Sequence, residues 1–141
     1  MRTCSGSKLF TQILSELEAS GRPLYIIPTA VLSDKEITSL VSNPIMDHDM
    51  LSIIGEYDIK VKSFIKNPQI AEYLTLKMNT EVLPRRKRFY AKKGRIALVV
   101  RATHDITGLL GTELDDRDVR IWLVEYCEGE EESGFVESSG E

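Results

Sequence analysis

The sequence predicts a single compact α/β domain, with a mixed sheet of about five strands and helices packed on it. Two runs, 24–32 and 96–100, are apolar at almost every position, as strands buried on both faces are. Other segments repeat apolar residues every three to four positions behind recognisable caps, as amphipathic helices do. Helices and strands also interleave along the chain, which favours one sheet dressed with helices over separate layers.

Taken in order, residues 1–6 are expected to be disordered, and Ser7 to cap a helix over 8–20 that Gly21 ends. Strand 24–32 follows, with Pro28 removing a ladder donor and ending or bulging it. Ser33 and Glu36 form a capping box for a short helix carrying Ile37, Leu40 and Val41, which Asn43-Pro44 ends. The aliphatic stretch 50–56 is predicted as a second strand and 58–65 as a short helix. Asn67 and Pro68 suit the N-cap and first position of a helix over 68–78, and Asn79 its left-handed stop. A hairpin of strands 86–91 and 95–103 turns at Gly94. Residues 104–111 form a loop, and the period-2 alternation of 118–126 marks the last strand. The domain is thus 1–127, with an added N-terminal helix at 7–20 and a disordered acidic tail at 128–141.

The net charge of −4 conceals an asymmetry, because six acids and no base fall in 128–141. Seven of the bases crowd into 85–95: Arg85, Arg86, Lys87, Arg88, Lys92, Lys93 and Arg95. Such a cluster suits a phosphate or nucleic-acid partner, and equally a solvated hairpin protecting an edge strand. No run approaches the roughly 18 apolar residues of a membrane span, so no membrane association is expected. Cys4 and Cys127 lack any metal-ligand spacing, and a reduced, cytoplasmic setting is the expectation. Neither a metal nor a cofactor is expected, since no phosphate loop, dinucleotide fingerprint or metal cluster occurs.

Chemistry concentrates where the 68–78 helix begins and on the basic run. The first-turn N–H groups and dipole favour an anion, which Lys66, Asn67, Arg85 and Arg86 flank; alternatively, Asn67 simply caps its own helix. His48, in the polar Asp47-His48-Asp49, reads as a solvated surface residue. His104 opens the loop after the central strand, where functional residues often project, but adjacency to Asp105 does not make a dyad.

At Ser63-Phe64-Ile65-Lys66-Asn67 the chain resembles the small viral ring nucleases, the type III anti-CRISPR proteins of archaeal viruses. Members carry a Ser-x-Ile-Gly-His turn opening a helix, then an Asn-Arg and a strand ending in a Val-Val-like pair. Ser63, Ile65, Arg86 and Leu98-Val99-Val100 fall at matching spacing, and Tyr25-Ile26-Ile27-Pro28-Thr29-Ala30-Val31 is similar to the family's first strand. The resemblance covers about 24–126. It implies a homodimer of α/β subunits in the host cytoplasm that binds cyclic tetra-adenylate across its two-fold axis and cuts it without metal. A ring with two-fold character suits an isologous dimer.

The departures bear on cutting. The family's catalytic His position is Asn67 and its preceding Gly is Lys66, and an amide cannot serve as a general acid. No carboxylate stands at the spacing of the family's acidic loop, where Thr107 and Gly108 occur. Ligand binding is expected through Lys66, Asn67, Arg86 and Thr29, with Arg85 and Arg88 second, and His104, which matches no family motif, is one candidate to replace the missing acid. Two other classes compete: a viral or archaeal nucleic-acid-binding protein using the 85–95 hairpin, and a protein–protein module using its acidic tail.

Overall fold

The structure, a computed structural model, describes residues 2–4, 9–41, 45–85, 89 and 94–128. Among them the order is β1 (Arg2–Cys4), α1 (Phe10–Ser20), β2 (Leu24–Pro28), α2 (Asp34–Val41), α3 (Leu51–Ile54), β3 (Val61–Ser63), α4 (Pro68–Met78), β4 (Ile96–Ala102) and β5 (Val119–Glu128). Single 3-10 turns occupy Thr29–Val31, His48–Met50 and Gly111–Glu113.

These strands form one mixed sheet in the order β1-β5-β4-β2-β3. β2 is parallel to β3 on one side and to β4 on the other, while β5 runs antiparallel to both β4 and β1. Alternation along each strand divides the apolar residues between two cores. One face sets Leu24, Ile26, Leu98, Val100 and Ile121 against α1, α3 and α4. The opposite face packs Tyr25, Ile27, Val99, Trp122 and Tyr126 with Leu40 of α2 and with Phe64 and Phe89. Both faces of β2 and β4 are covered, which is why their sequences read as continuous apolar runs.

Local signals set the helix ends. Gly21 adopts φ 69°, and the Arg22 N–H closes back on the Leu17 carbonyl at 3.1 Å, sealing α1. At the head of α2 the Ser33 hydroxyl accepts from the Glu36 N–H at 3.2 Å, and the Glu36 carboxylate accepts from the Ser33 N–H at 3.1 Å. Asn67 accepts from the Gln69 and Ile70 N–H groups at the start of α4, and Asn79 ends it at φ 53°.

Several expectations need correcting. Residues 50–56 form no strand: a 3-10 turn and α3 replace it, because Leu51 and Ile54 share one buried helical face. Residues 58–65 are not a helix, since Val61–Ser63 lies beside β2 and satisfies backbone groups on its free edge. Of the first six residues, Arg2–Cys4 is not disordered but pairs with Glu125, Tyr126 and Glu128 of β5, and the rest lie outside the described residues. Helix α1 begins at Phe10, with Leu9 as a cap that makes no side-chain bond; Ser7 lies outside the described residues. So do 86–88 and 90–93, most of the expected first hairpin strand, and 129–141 of the expected tail, whose first residue, Glu128, ends β5 instead, paired with Arg2. The side chains of Cys4 and Cys127 are likewise outside the described set. Among the described residues no helix is long and apolar enough to cross a membrane.

Gly111 sits against the first turns of α4, where a methyl group would lie 2.8 Å from the Gln69 carbonyl and collide with the Glu72 side chain. Gly111→Ala is expected to cost about 1–3 kcal/mol by overpacking. Urea unfolding checks this, and a loss within a few tenths would show that the 111–113 turn is not packed on α4.

Candidate functional site

The parallel direction of β2, β3 and β4 puts their carboxyl ends along one edge, where open α/β sheets bind ligands. Thr29 follows the end of β2 directly. Beyond β3 the chain stays beside β2, because the Phe64 N–H donates to the Ile26 carbonyl at 2.7 Å, and exposed Lys66 comes two residues later. The Arg85 N–H donates to the Ile65 carbonyl at 2.9 Å, bringing a second cation to that corner. Its guanidinium lies 5.8 Å from the ring centre of buried Phe64, which supplies a cation–π seat.

The helix tip itself is already engaged. Asn67 Oδ1 takes the Gln69 N–H at 2.8 Å and the Ile70 N–H at 3.2 Å. Gln69 Nε2 in turn bonds the carbonyls of Ile106 and Thr107 at 2.9 and 3.1 Å, tying the loop after β4 to this turn. Attraction for an anion therefore rests on the Lys66 and Arg85 side chains rather than on free backbone donors. The structure thus gathers Lys66, Asn67 and Arg85, with Thr29 on the adjoining strand end, whereas Arg86 and Arg88 lie outside the described residues.

His104 belongs to a different neighbourhood. Its Nε2 meets Asp118 Oδ1 at 2.6 Å and its Nδ1 meets the Asp105 carbonyl at 3.1 Å. The bond to Asp118, then that to Asp105, raises its pKa above the ordinary histidine value, so the protonated ring is favoured. Thr103 is joined to the same place, its N–H donating to the Asp118 carbonyl and its hydroxyl to the Arg117 carbonyl at 2.7 Å. The partner of His104 is thus Asp118, not the adjacent Asp105 carboxylate.

His48 corrects the sequence reading most sharply. It is 6% exposed, not solvated, and its Nδ1 meets the Tyr73 hydroxyl of α4 at 2.6 Å. In the neutral ring Nδ1 either takes the Tyr73 hydroxyl proton or gives its own to the Tyr73 oxygen, and in both tautomers the buried pair satisfies itself. Burial lowers the His48 pKa, and burial followed by Asp116 raises that of Tyr73. The segment carrying His48 follows the open edge of β5, where the Met46 N–H donates to the Ile121 carbonyl at 2.8 Å. Beside it opens a cavity of about 370 Å³ lined by Ile45, Met46, Asp47, His48, Asp116, Arg117 and Arg120. Arg117 is held by Asp115 at 3.2 Å. The sequence held one overlooked signal: His48, Leu51 and Ile54 recur every third residue, the period of a buried helical stripe. Among the described residues no three histidine, cysteine or carboxylate side chains converge as a metal site needs.

No family model matches the chain, and neither does any curated protein or solved structure. The assignment of function accordingly rests on the geometry and on the resemblance at 63–67.

Two outcomes follow from the buried histidine. Tyr73→Phe leaves the buried Nδ1 of His48 without its hydrogen-bond partner and is expected to cost about 1–3 kcal/mol in urea unfolding. The His48 pKa lies below 6.5 in the folded chain, so the unfolded chain binds more protons as pH falls through that value, and stability declines. His104 has the opposite sign, its contribution being present below 6.5 and lost as pH rises through its raised folded value. Melting temperatures from about pH 7 to 5 should therefore fall less steeply in His48→Gln than in the parent. Equal slopes would show that His48 does not titrate as a buried neutral group.

Proposed function

We propose that this chain binds a phosphate-backbone ligand of the cyclic oligoadenylate class at the carboxyl edge of β2, β3 and β4, and sequesters it without cutting it. The observation that carries this reading is the Arg85–Ile65 backbone bond, which sets Arg85 beside Lys66 where parallel strands end. Two cations near a strand-end hydroxyl, Thr29, suit successive phosphates of a short oligonucleotide. The resemblance at Ser63–Asn67 supplies the ligand class and a homodimer whose two-fold axis would match a ring. Cutting is left out because Asn67, at the family's acid position, is an amide whose oxygen caps α4.

Incubation with labelled cyclic tetra-adenylate, scored for retention and for products, tests the reading. Retention with no linear product is expected. Lys66→Ala and Arg85→Ala should each weaken retention at least tenfold, since a charge-assisted bond contributes about 1.5–3 kcal/mol. Unchanged affinity in both variants would refute the assignment. Equal binding of unrelated RNA duplexes, falling steeply with salt, would instead favour a general nucleic-acid-binding protein.

A further inference from the structure

The register of β4 on β5 places Arg101 directly opposite Arg120. Directly opposed residues on one face have Cβ atoms about 4.5–5.5 Å apart, and like charges there repel. Both arginines are exposed, and neither makes an ion pair or hydrogen bond among the described residues. Two acids just before β5 are turned elsewhere: Asp115 holds Arg117, and Asp118 holds His104. Asp47 and Asp116 share the cavity at the β5 edge with Arg120 but form no ion pair with it.

A repulsive pair held on adjacent strands, with Asp115 and Asp118 already committed to other groups, is poised for an anion from solution. We propose that Arg101 and Arg120 form a two-arginine clamp for a phosphoryl group. Each guanidinium is a planar fork that engages two oxygens of a tetrahedral anion, and forks rising from neighbouring strands can grip one group from two sides. The strand backbones are fixed by ladder bonds, so the clamp needs little ordering beyond the side chains themselves. It lies at the carboxyl end of β4, the same end of the sheet as Lys66 and Arg85, but rests on the β4–β5 register and not on the reading of that corner.

Titration calorimetry with inorganic pyrophosphate at constant ionic strength tests the clamp. The parent chain should bind, and Arg101→Ala and Arg120→Ala should each weaken binding at least tenfold. Arg101→Glu should abolish it while raising the melting temperature in low salt, because the new carboxylate faces Arg120 and relieves the repulsion. Lys66→Ala should still bind pyrophosphate, so that loss of oligoadenylate retention with intact pyrophosphate binding would remove the carboxyl-edge reading alone. The clamp is overturned if the parent does not bind pyrophosphate, if either alanine variant binds as the parent does, or if Lys66→Ala alone eliminates binding.

Discussion

Everything in this molecule depends on β2 being paired in parallel on both sides. Leu24 and Ile26 face α1 and α4 while Tyr25 and Ile27 face α2, and all four are at most 4% exposed. Truncating one such aliphatic side chain typically costs about 2–5 kcal/mol, a large share of a small domain's stability. The same pairing turns the carboxyl ends of β2, β3 and β4 to one edge. Thr29, Lys66 and the loop after Ala102 therefore emerge together although they are far apart in sequence.

The two faces of the sheet solve different problems. The fully buried side chains under α1, α3 and α4 are aliphatic apart from Tyr73, whose hydroxyl is spent on His48, with half-buried Phe10 and Tyr57 packed against them. The other face is aromatic: Phe89 stands 5.4 Å from Tyr25, 5.5 Å from Phe64 and 6.0 Å from Tyr126 between ring centres. Arg95 lies 4.7 Å from the Tyr25 ring, so the cluster is roofed by cations as well as by chain. Among the described residues Trp122 Nε1 and the Tyr126 hydroxyl are buried there without a hydrogen bond, each at a desolvation cost of about 1–3 kcal/mol that the apolar packing offsets. Burial, with Glu36 nearby, also raises the Tyr126 pKa.

The loop between β4 and β5 is stapled at both ends. Gln69 holds its middle to α4 through the Ile106 and Thr107 carbonyls, while Thr103 and His104 hold its start to Arg117 and Asp118. The first turn of α4 and the residues just before β5 are thereby joined through one short segment. This links the Lys66–Arg85 corner to the strand pair bearing Arg101 and Arg120 through hydrogen bonds rather than through flexible chain.

By itself the sequence determined what is decided within a few residues. The Asn67-Pro68 cap, the Ser33–Glu36 box, the Gly21 and Asn79 stops and the doubly buried runs of β2 and β4 were all legible, because each depends on local sterics or nearby hydrogen bonds. The Lys66–Asn67–Arg85 corner was half legible: its residue types and the Asn67 cap showed, but Arg85's backbone bond to Ile65 is set by tertiary packing and no local pattern encodes it. Only the tertiary structure made 51–54 a helix and 61–63 a strand, because short apolar runs take whichever form buries them and satisfies a free strand edge. It also buried His48 against Tyr73 and brought Arg101 opposite Arg120, 25 and 19 residues away respectively, contacts set by packing and strand register that no local pattern encodes.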